Sequence, residues 1–137
     1  MKNNNSVKLY TQINAKPEAI WKVLTDEAEF SRCFSALEIE CQEWKVGGEI
    51  IFKVKNSEFF DRAIIIKIQD NICLSYQYFK SKSTNFIEMS FDIHEDENKT
   101  SIVLTGKNFA NDEEYNHSKI AWTGMLNGLK EFLDGSH

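Results

Sequence analysis

Apolar and polar residues alternate over two separate parts of the chain, and this spacing predicts β-strands. Residues 7–15 alternate with a period of two, which predicts one half-buried strand. From Leu37 to about Gly106 the same period predicts a meander of about six strands, with Ile64, Ile66 and Ile68 on one face. Connections this short imply antiparallel neighbours. Turn-forming residues interrupt the meander at Gly47–Gly48, Asn56–Ser57, Asp70–Asn71, Lys80 to Ser83 and Glu95 to Lys99.

Two short helices are predicted between the first strand and the meander. Pro17 and Glu18 suit the first turn of a helix, because proline has a helical φ and a carboxylate meets the positive end of the helix dipole. Asp26 is placed to cap a second short helix that continues to Phe34.

The last part of the chain changes to a spacing of three and four residues, which predicts one long amphipathic helix. Asn111 or Asp112 caps its start, and Gly135 is a typical stop after its end. The helix spans about six turns. Its apolar stripe comprises Tyr115, Ser118, Trp122, Met125, Leu126, Leu129, Phe132 and Leu133.

This order of elements predicts an α+β fold in which helices cover one face of an antiparallel sheet of about seven strands. A chain of 137 residues has the length of one domain, so we predict a single domain over residues 1–137. Ten Phe, four Tyr and three Trp must either pack a core or line a pocket. The question of function therefore becomes a question about where these rings lie.

Charge and composition exclude several classes of partner. The formal net charge of -5 disfavours binding to nucleic acid, because phosphate backbones are also negative. The three cysteines and three histidines lack the spacing of a metal site, so we expect no metal and no cofactor. The start of the chain does not resemble a signal peptide, and no apolar run is long enough to insert into a membrane. We therefore expect a cytoplasmic protein with reduced thiols.

Three segments in the same order resemble a known family. They are residues 13–25 (INAKPEAIWKVLT), 44–52 (WKVGGEIIF) and 121–133 (AWTGMLNGLKEFL). The set is similar to the START-like (SRPBCC) superfamily, in the branch named for homology to an activator of a heat-shock chaperone's ATPase. The resemblance implies a helix-grip fold, in which a curved sheet wraps around the long C-terminal helix and leaves a cavity between them.

The sequence departs from the family's usual pattern at two places. The second helix ends in Cys33-Phe34 where the family usually has a tryptophan followed by an aromatic residue, and the last helix has Ala121-Trp122 in place of Gly-Trp. A different pocket shape is expected at both. The eukaryotic activators also have a separate N-terminal domain that docks on the chaperone, and a chain of 137 residues has no room for it. Chaperone activation is therefore not carried over.

Our leading hypothesis is that a small hydrophobic or aromatic molecule binds between the sheet and the last helix, without being chemically changed. Such cavities are mostly apolar, with a few polar groups. The alternative is that the same rings fill the space. A dry cavity of about 300 Å³ would cost about 7 kcal/mol. The residues predicted to line the cavity are Phe34, Trp44, Phe52, Tyr76, Tyr78, Met89, Phe91, Trp122, Met125, Leu126 and Leu129.

Candidate catalytic residues have weaker support. The alternation of the strand places Glu88 on the solvated face, opposite Met89, and predicts that Cys73 is a buried, inert thiol on the helix-free face. His117 is expected at the surface, and Gly47–Gly48 in a tight turn. No catalytic residue is therefore assigned.

Two further functional hypotheses stay open at this stage. One is a protein-interaction module related to chaperone ATPase activators, which would act as a homodimer or with another protein. The other is a cyclase or isomerase that acts on an aromatic polyketide-like substrate.

Overall fold

The computed structural model describes residues 6–80, 84–97 and 99–134. Seven strands and three helices follow one another in the predicted order. Their bounds are β1 Val7–Ile13, α1 Pro17–Thr25, α2 Glu27–Cys33, β2 Leu37–Cys41, β3 Glu49–Val54, β4 Phe60–Gln69, β5 Cys73–Phe79, β6 Ile87–Asp96, β7 Lys99–Lys107 and α3 Asp112–Asp134.

All seven strands form one antiparallel sheet in the order β1-β7-β6-β5-β4-β3-β2. Strands β2 to β7 form the predicted meander, in which each strand pairs with the next. The first strand pairs with the last one, with Val7 opposite Gly106 and Ile13 opposite Thr100. The predicted α+β architecture is confirmed.

The first strand is shorter than the alternation predicted. It ends at Ile13, because the next backbone groups bond to side chains instead of to a neighbouring strand. The Asn14 amide donates to the Asp134 carboxylate at 2.7 Å, and the Thr100 hydroxyl donates to the Ala15 carbonyl at 2.6 Å. These bonds turn the chain toward α1.

The predicted helix starts are confirmed, by the position of Pro17 in α1 and by side-chain caps in α2 and α3. Pro17 occupies the first turn of α1, and the Asp26 carboxylate accepts the Glu29 amide at 2.9 Å at the start of α2. At the start of α3, the Asn111 side chain accepts the Glu114 amide at 2.8 Å, which identifies Asn111 as the cap. The stop predicted at Gly135 lies outside the described residues, as do parts of the turns predicted at 80–83 and 95–99.

The prediction that Ile64, Ile66 and Ile68 share one face is wrong. Opposite β5, Ile65 pairs with Tyr76 and Lys67 pairs with Ser75, so Ile66 is an extra residue in a β-bulge. A bulge shifts the alternation by one residue. Ile65 is consequently buried while Ile66 is 36% exposed, and Ile68 returns to the core side of the sheet.

The core lies between one face of the sheet, here called the inner face, and the three helices. Every strand contributes buried apolar residues to this core, and α3 contributes Leu126, Leu129 and Leu133. At Gly106 the sheet approaches Trp122 very closely. A β-carbon added to Gly106 would lie 2.1 Å from the indole ring of Trp122. Only glycine leaves room for that ring.

The opposite face of the sheet, here called the outer face, carries polar pairs. The Ser75 and Ser90 hydroxyls are 2.8 Å apart, and Glu88 forms an ion pair with Lys107 at 2.9 Å. Among the helices within the described ranges, none has the length and apolar character needed to cross a bilayer.

Candidate functional site

A cavity of about 460 Å³ lies between the inner face of the sheet and α3. Strands β2 to β6 supply its floor and one side, α1 and α2 supply another side, and the first half of α3 covers it. The lining residues are Leu24, Phe30, Phe34, Leu37, Ile50, Phe52, Val54, Asp61, Leu74, Tyr76, Tyr78, Met89, Phe91, Ala121, Trp122, Gly124 and Met125.

Aromatic rings form a continuous network along the cavity wall. The ring centroids of Phe30 and Phe34 are 5.0 Å apart, and Phe30 leads to Phe52 at 6.2 Å. Phe52 in turn contacts Tyr78 at 5.4 Å and Tyr76 at 5.8 Å. All these pairs are tilted, an arrangement that aromatic quadrupoles favour. The wall is therefore a continuous aromatic surface.

Tyr76 places a hydroxyl group in this apolar surrounding. Its side chain is only 5% exposed, yet its hydroxyl has no hydrogen-bond partner among the described residues. No fully buried side-chain polar atom in the described ranges lacks a partner, so the Tyr76 oxygen is reached from the cavity instead of being enclosed by protein. Burial raises the pKa of Tyr76 well above its ordinary value of 10.0. The hydroxyl thus remains a donor at neutral pH.

Asp61 is the one carboxylate among the residues described as lining the cavity. The Tyr78 hydroxyl donates a hydrogen bond to its carboxylate oxygen. Burial, and then this hydrogen bond and the charge of Asp61, raise the pKa of Tyr78 far above 10.0. Tyr78 therefore keeps its proton and directs it toward Asp61.

The cavity opens to solvent beside α3, where the helix carries small residues. Ala121 and Gly124 line the opening and are exposed, and Val54 lies there with 44% of its surface exposed. A β-carbon added to Gly124 would have no neighbour within 4 Å. A ligand could therefore pass this side of the helix without displacing the backbone.

Eight of the eleven residues predicted to bind a ligand line this cavity, and three do not. The eight are Phe34, Phe52, Tyr76, Tyr78, Met89, Phe91, Trp122 and Met125. Leu126 and Leu129 are buried in the core at 3% and 1% exposure, and Trp44 is half-buried against the core outside the cavity.

The residues set aside as catalytic candidates lie away from the cavity. Glu88 and the buried Cys73 have the strand parity of the outer face, opposite to that of Leu74 and Met89, which line the cavity. His117 is exposed on α3. The predicted turn at Gly47–Gly48 is confirmed, with Gly47 at φ 88°. Among the residues that the structure describes, no group of three or more His, Cys, Asp or Glu side chains could hold a metal ion.

Comparison with known proteins identifies the family. The family described as "Activator of Hsp90 ATPase homolog 1-like protein" has a sequence model that matches residues 14–134. The chain belongs to this family. Among curated protein sequences, none matches the chain.

Solved structures similar to this member of the activator of Hsp90 ATPase homologue family show the same fold. An Aha1 dimer from Colwellia psychrerythraea is 21% identical, with 95% of this chain and 96% of that chain covered and a TM-score of 0.79. A Cytophaga hutchinsonii protein is 24% identical, with 98% and 97% covered and a TM-score of 0.81. An Hsp90 activator from Plasmodium falciparum is 18% identical, with 93% and 95% covered and a TM-score of 0.77.

The two departures from the usual family pattern both fall at or beside the cavity. Phe34 and Ala121 line it directly. Cys33 lies next to it, with its sulfur 3.9 Å from the Gly128 carbonyl of α3. Burial, and secondarily the charge of Glu29, raises the pKa of the Cys33 thiol to about 11. In this family member the thiol is therefore protonated at neutral pH, where it serves as a small apolar packing group.

Asp61 is the lining residue whose importance the sequence did not indicate. It precedes Arg62 at the start of a predicted strand, and such charged residues are usually solvated. The alternation of β4 gives the available signal: Asp61, Ala63 and Ile65 lie two residues apart and face inward together.

Proposed function

We propose that this protein binds a small, predominantly apolar or aromatic molecule in the cavity between the sheet and α3. The observation that carries the proposal is the Tyr76 hydroxyl, a donor without a partner among the described residues, in a cavity lined mostly by rings and aliphatic side chains. A ligand that accepts this hydrogen bond would satisfy Tyr76 and cover the rings at the same time.

The size of the cavity supports the same proposal. Small-molecule sites usually measure about 300 to 1,000 Å³, and 460 Å³ falls within that range. A closed, dry cavity of this volume would cost about 11 kcal/mol, comparable with the whole stability of a typical domain. Water that is held by so few polar groups is poorly ordered, and its displacement by an apolar molecule favours binding.

We propose binding without chemical conversion. General acid–base catalysis needs groups matched to each proton that moves, and nucleophilic catalysis needs an activated side chain. Within the described residues the cavity wall holds one carboxylate, Asp61, and neither cysteine, histidine nor lysine. The phenols of Tyr76 and Tyr78 have raised pKa values, which disfavour their action as bases.

The test is a variant that occupies the cavity opening without disturbing the core. Gly124→Phe would place a ring at the opening, where an added β-carbon has no neighbour. Gly124→Ala is the matched control, because it also replaces the helical glycine but adds only a methyl group. Replacing this glycine should stabilise Gly124→Ala by up to about 1 kcal/mol and Gly124→Phe by less, because phenylalanine has a lower helix propensity than alanine.

Each protein is screened by thermal shift and calorimetry against naphthols, flavonoids and fatty acids. We expect saturable binding to wild type and Gly124→Ala, and at least a tenfold loss for Gly124→Phe at undiminished melting temperature. A ligand present at a hundred times its Kd should stabilise the fold by about 2.7 kcal/mol. Equal binding by Gly124→Phe would place the ligand elsewhere, and no stabilisation by any compound would contradict the proposal.

A second candidate function is contact with another protein, because the β3–β4 hairpin exposes a cluster of apolar residues. Phe59 is 73% exposed, Phe60 47% and Val54 44%. Two proteins of the same fold are an Aha1 dimer and an Hsp90 activator. We therefore propose a homodimer or a protein partner at this hairpin as the alternative function.

Size-exclusion chromatography with light scattering tests this alternative. If the hairpin mediates dimer formation, wild type should elute as a dimer at micromolar concentration and the double variant Phe59→Ser/Phe60→Ser as a monomer. The exposed Ile120→Ser is a control for general loss of apolar surface. A wild type that is monomeric at every concentration removes the homodimer.

We also propose a cytoplasmic location. The three cysteines Cys33, Cys41 and Cys73 are unpaired, which fits a compartment that keeps thiols reduced. Expression of a tagged protein followed by fractionation would test the location directly.

A further inference from the structure

The cavity extends across most of the sheet and ends before β7. Its described lining residues on the sheet come from β2 to β6, and none of them comes from β1 or β7. Val54, at the opening, lies on β3, and Met89 lies on β6 at the other side of the cavity. From β3 to β6 the sheet spans three strand spacings, or about 14 Å. The cavity therefore has an open end beside β3 and an inner end beside β7.

Trp122 closes the inner end. Met89 pairs with Gly106 on β7, and the indole of Trp122 lies over that glycine, 2.1 Å from the place of an added β-carbon. Two further rings, which do not line the cavity, pack beside the indole. The ring of the fully buried Phe109 is 5.9 Å from that of Trp122, and Tyr115 contacts Phe109 edge to face at 5.4 Å. These rings fill the space next to β7, so the cavity stops at Trp122.

The space available at Gly106 determines where this indole lies. Among the described glycines only Gly47 has a positive φ, so the backbone conformation of Gly106 is open to other residues. The indole of Trp122 is what excludes a side chain at this position. A side chain on Gly106 would push the ring off the sheet and toward the cavity. The glycine thus allows Trp122 to pack close to β7, and it leaves the volume in front of the ring to the cavity.

We propose that Trp122, packed over Gly106, determines the longest ligand that the cavity can enclose. The inference rests on the proposed function and adds a specificity-determining residue to it. Burial of apolar surface favours binding roughly in proportion to the area that is removed from water. Once a chain reaches the indole, further methylene groups gain nothing, because they stay in solvent at the opening. A smaller side chain at position 122 should therefore lengthen the enclosed part of a ligand, and a larger one at position 106 should shorten it.

A series of n-alkyl maltosides measures the depth of the cavity in the wild-type protein. The uncharged sugar is too polar to enter an apolar cavity, so it holds one end of the chain at the opening. Tails from hexyl to tetradecyl are titrated by calorimetry below the concentration at which micelles form. We expect the affinity to increase about fourfold per methylene up to a break length, and to change by less than about twofold per methylene beyond it. A steady increase through tetradecyl would overturn the inference.

Variants at the two positions should move the break length in opposite directions. Trp122→Leu opens the inner end, so the break should move to tails about two methylenes longer, and the longest tails should bind about tenfold or more tightly than they bind wild type. Gly106→Ala displaces the indole into the cavity and should shorten the break length by about one methylene. In the Trp122→Leu background the same alanine should leave the break length unchanged, because the ring that it displaces is gone.

Two further variants complete the design. Trp122→Phe keeps a ring and should lengthen the break less than Trp122→Leu does; it decides the question if Trp122→Leu does not fold. Trp44→Leu is the matched control, because it removes an indole that packs against the core outside the cavity. Its break length should equal that of wild type. Thermal melts verify that each variant is folded.

The outcomes distinguish the inference from the proposed function. If folded Trp122→Leu and Trp122→Phe keep the break length of wild type, the role of Trp122 is wrong and the ligand cavity stands. An equal shift in Trp44→Leu would indicate general loosening of the fold and would also refute that role. If no maltoside binds wild type, the inference is wrong, and the proposed function fails with it only if the naphthols and flavonoids do not bind either. Binding that survives in Gly124→Phe lies outside the cavity and contradicts both proposals.

Discussion

Two parts of α3, residues 112–125 and residues 126–134, here called its first and second halves, face the same sheet and contain similar numbers of apolar residues, yet they pack differently. In the second half Leu126, Leu129 and Leu133 are at most 9% exposed and fill the core. In the first half Ala121 and Gly124 are exposed and border the cavity. The helix is regular throughout, so the difference lies in its side chains and in their contacts.

The second half is also held against β1 by polar bonds. The Lys130 ammonium donates to the Gln12 carbonyl at 2.7 Å, and Asp134 accepts the Asn14 amide. An apolar helical stripe is therefore compatible both with a filled core and with an open cavity. In α3 the small residues Ala121 and Gly124 lie beside the cavity.

The largest effect on stability is expected from truncating one apolar residue in each half of α3, which tests the difference between the halves. Leu129→Ala should lower the free energy of unfolding by about 2 to 5 kcal/mol, because it removes a side chain that is 1% exposed from a filled region. Met125→Ala should cost less than about 2 kcal/mol, because it enlarges a cavity that already exists. Urea denaturation measures both losses, and equal losses would contradict the contrast between the halves.

A smaller effect on stability is expected at Gly106, where β7 contacts Trp122 in the first half of α3. In Gly106→Ala the new methyl group would lie 2.1 Å from the ring of Trp122 and 3.2 Å from Phe109, so the indole must shift toward the cavity. Overpacking of this kind costs about 1 to 3 kcal/mol. ¹⁹F NMR of fluorotryptophan-labelled protein should show the shift of Trp122.

A double-mutant cycle provides the control for this prediction. In a Trp122→Leu background, where the large ring is gone, Gly106→Ala should lose most of its cost. An undiminished cost in that background would mean that the glycine is needed for the backbone of β7 and not for the contact with the indole.

The smallest effect at neutral pH is expected from Tyr76→Phe. The substitution removes a hydroxyl that has no partner among the described residues, so it breaks no hydrogen bond within them and should change stability by less than about 1 kcal/mol. Loss of about 3 kcal/mol or more in urea denaturation would show that the hydroxyl is engaged by the protein.

The same variant should differ from wild type in alkali. The folded state raises the pKa of Tyr76 above the 10.0 of an unfolded chain, so folding keeps the phenol protonated. The resulting contribution to stability is fully present below pH 10 and is lost as the pH rises from there toward the folded pKa. Stability should therefore fall more steeply above pH 10 in wild type than in Tyr76→Phe, as measured by urea denaturation between pH 8 and 11.5.

Local patterns were sufficient to predict the order of the elements. The alternation of residues 7–15, the cap at Asp26 and the helical spacing after Asn111 each depend on near neighbours in the chain, and the structure confirms the elements that they predicted. The apolar stripe predicted on α3 also packs against the core, as expected. Periodicity could not tell that Leu126 and Leu129 fill the core while Met125 lines a cavity, because all three are equally apolar.

The wrong face assignment on β4 explains why the sequence pattern did not indicate that Asp61 lines the cavity. The prediction that Ile64, Ile66 and Ile68 share one face gave Asp61 the parity of the face opposite to Ile68, which lies on the core side. The bulge at Ile66 reverses the alternation before it, so Ile65 and Asp61 point inward. A bulge depends on pairing with β5 and leaves little trace in a run of four similar apolar residues.

The contact between β1 and α3 has a consequence for how the chain folds. Lys130 and Gln12, which hold α3 to β1, are separated by 118 residues. Contacts between such distant parts of the chain incur a large loop-closure entropy before they form, and proteins rich in them fold slowly. We therefore expect the meander to form first, and β1 and α3 to dock on it in a late, rate-limiting step. The cavity in which we propose that a ligand binds would be completed only at that step.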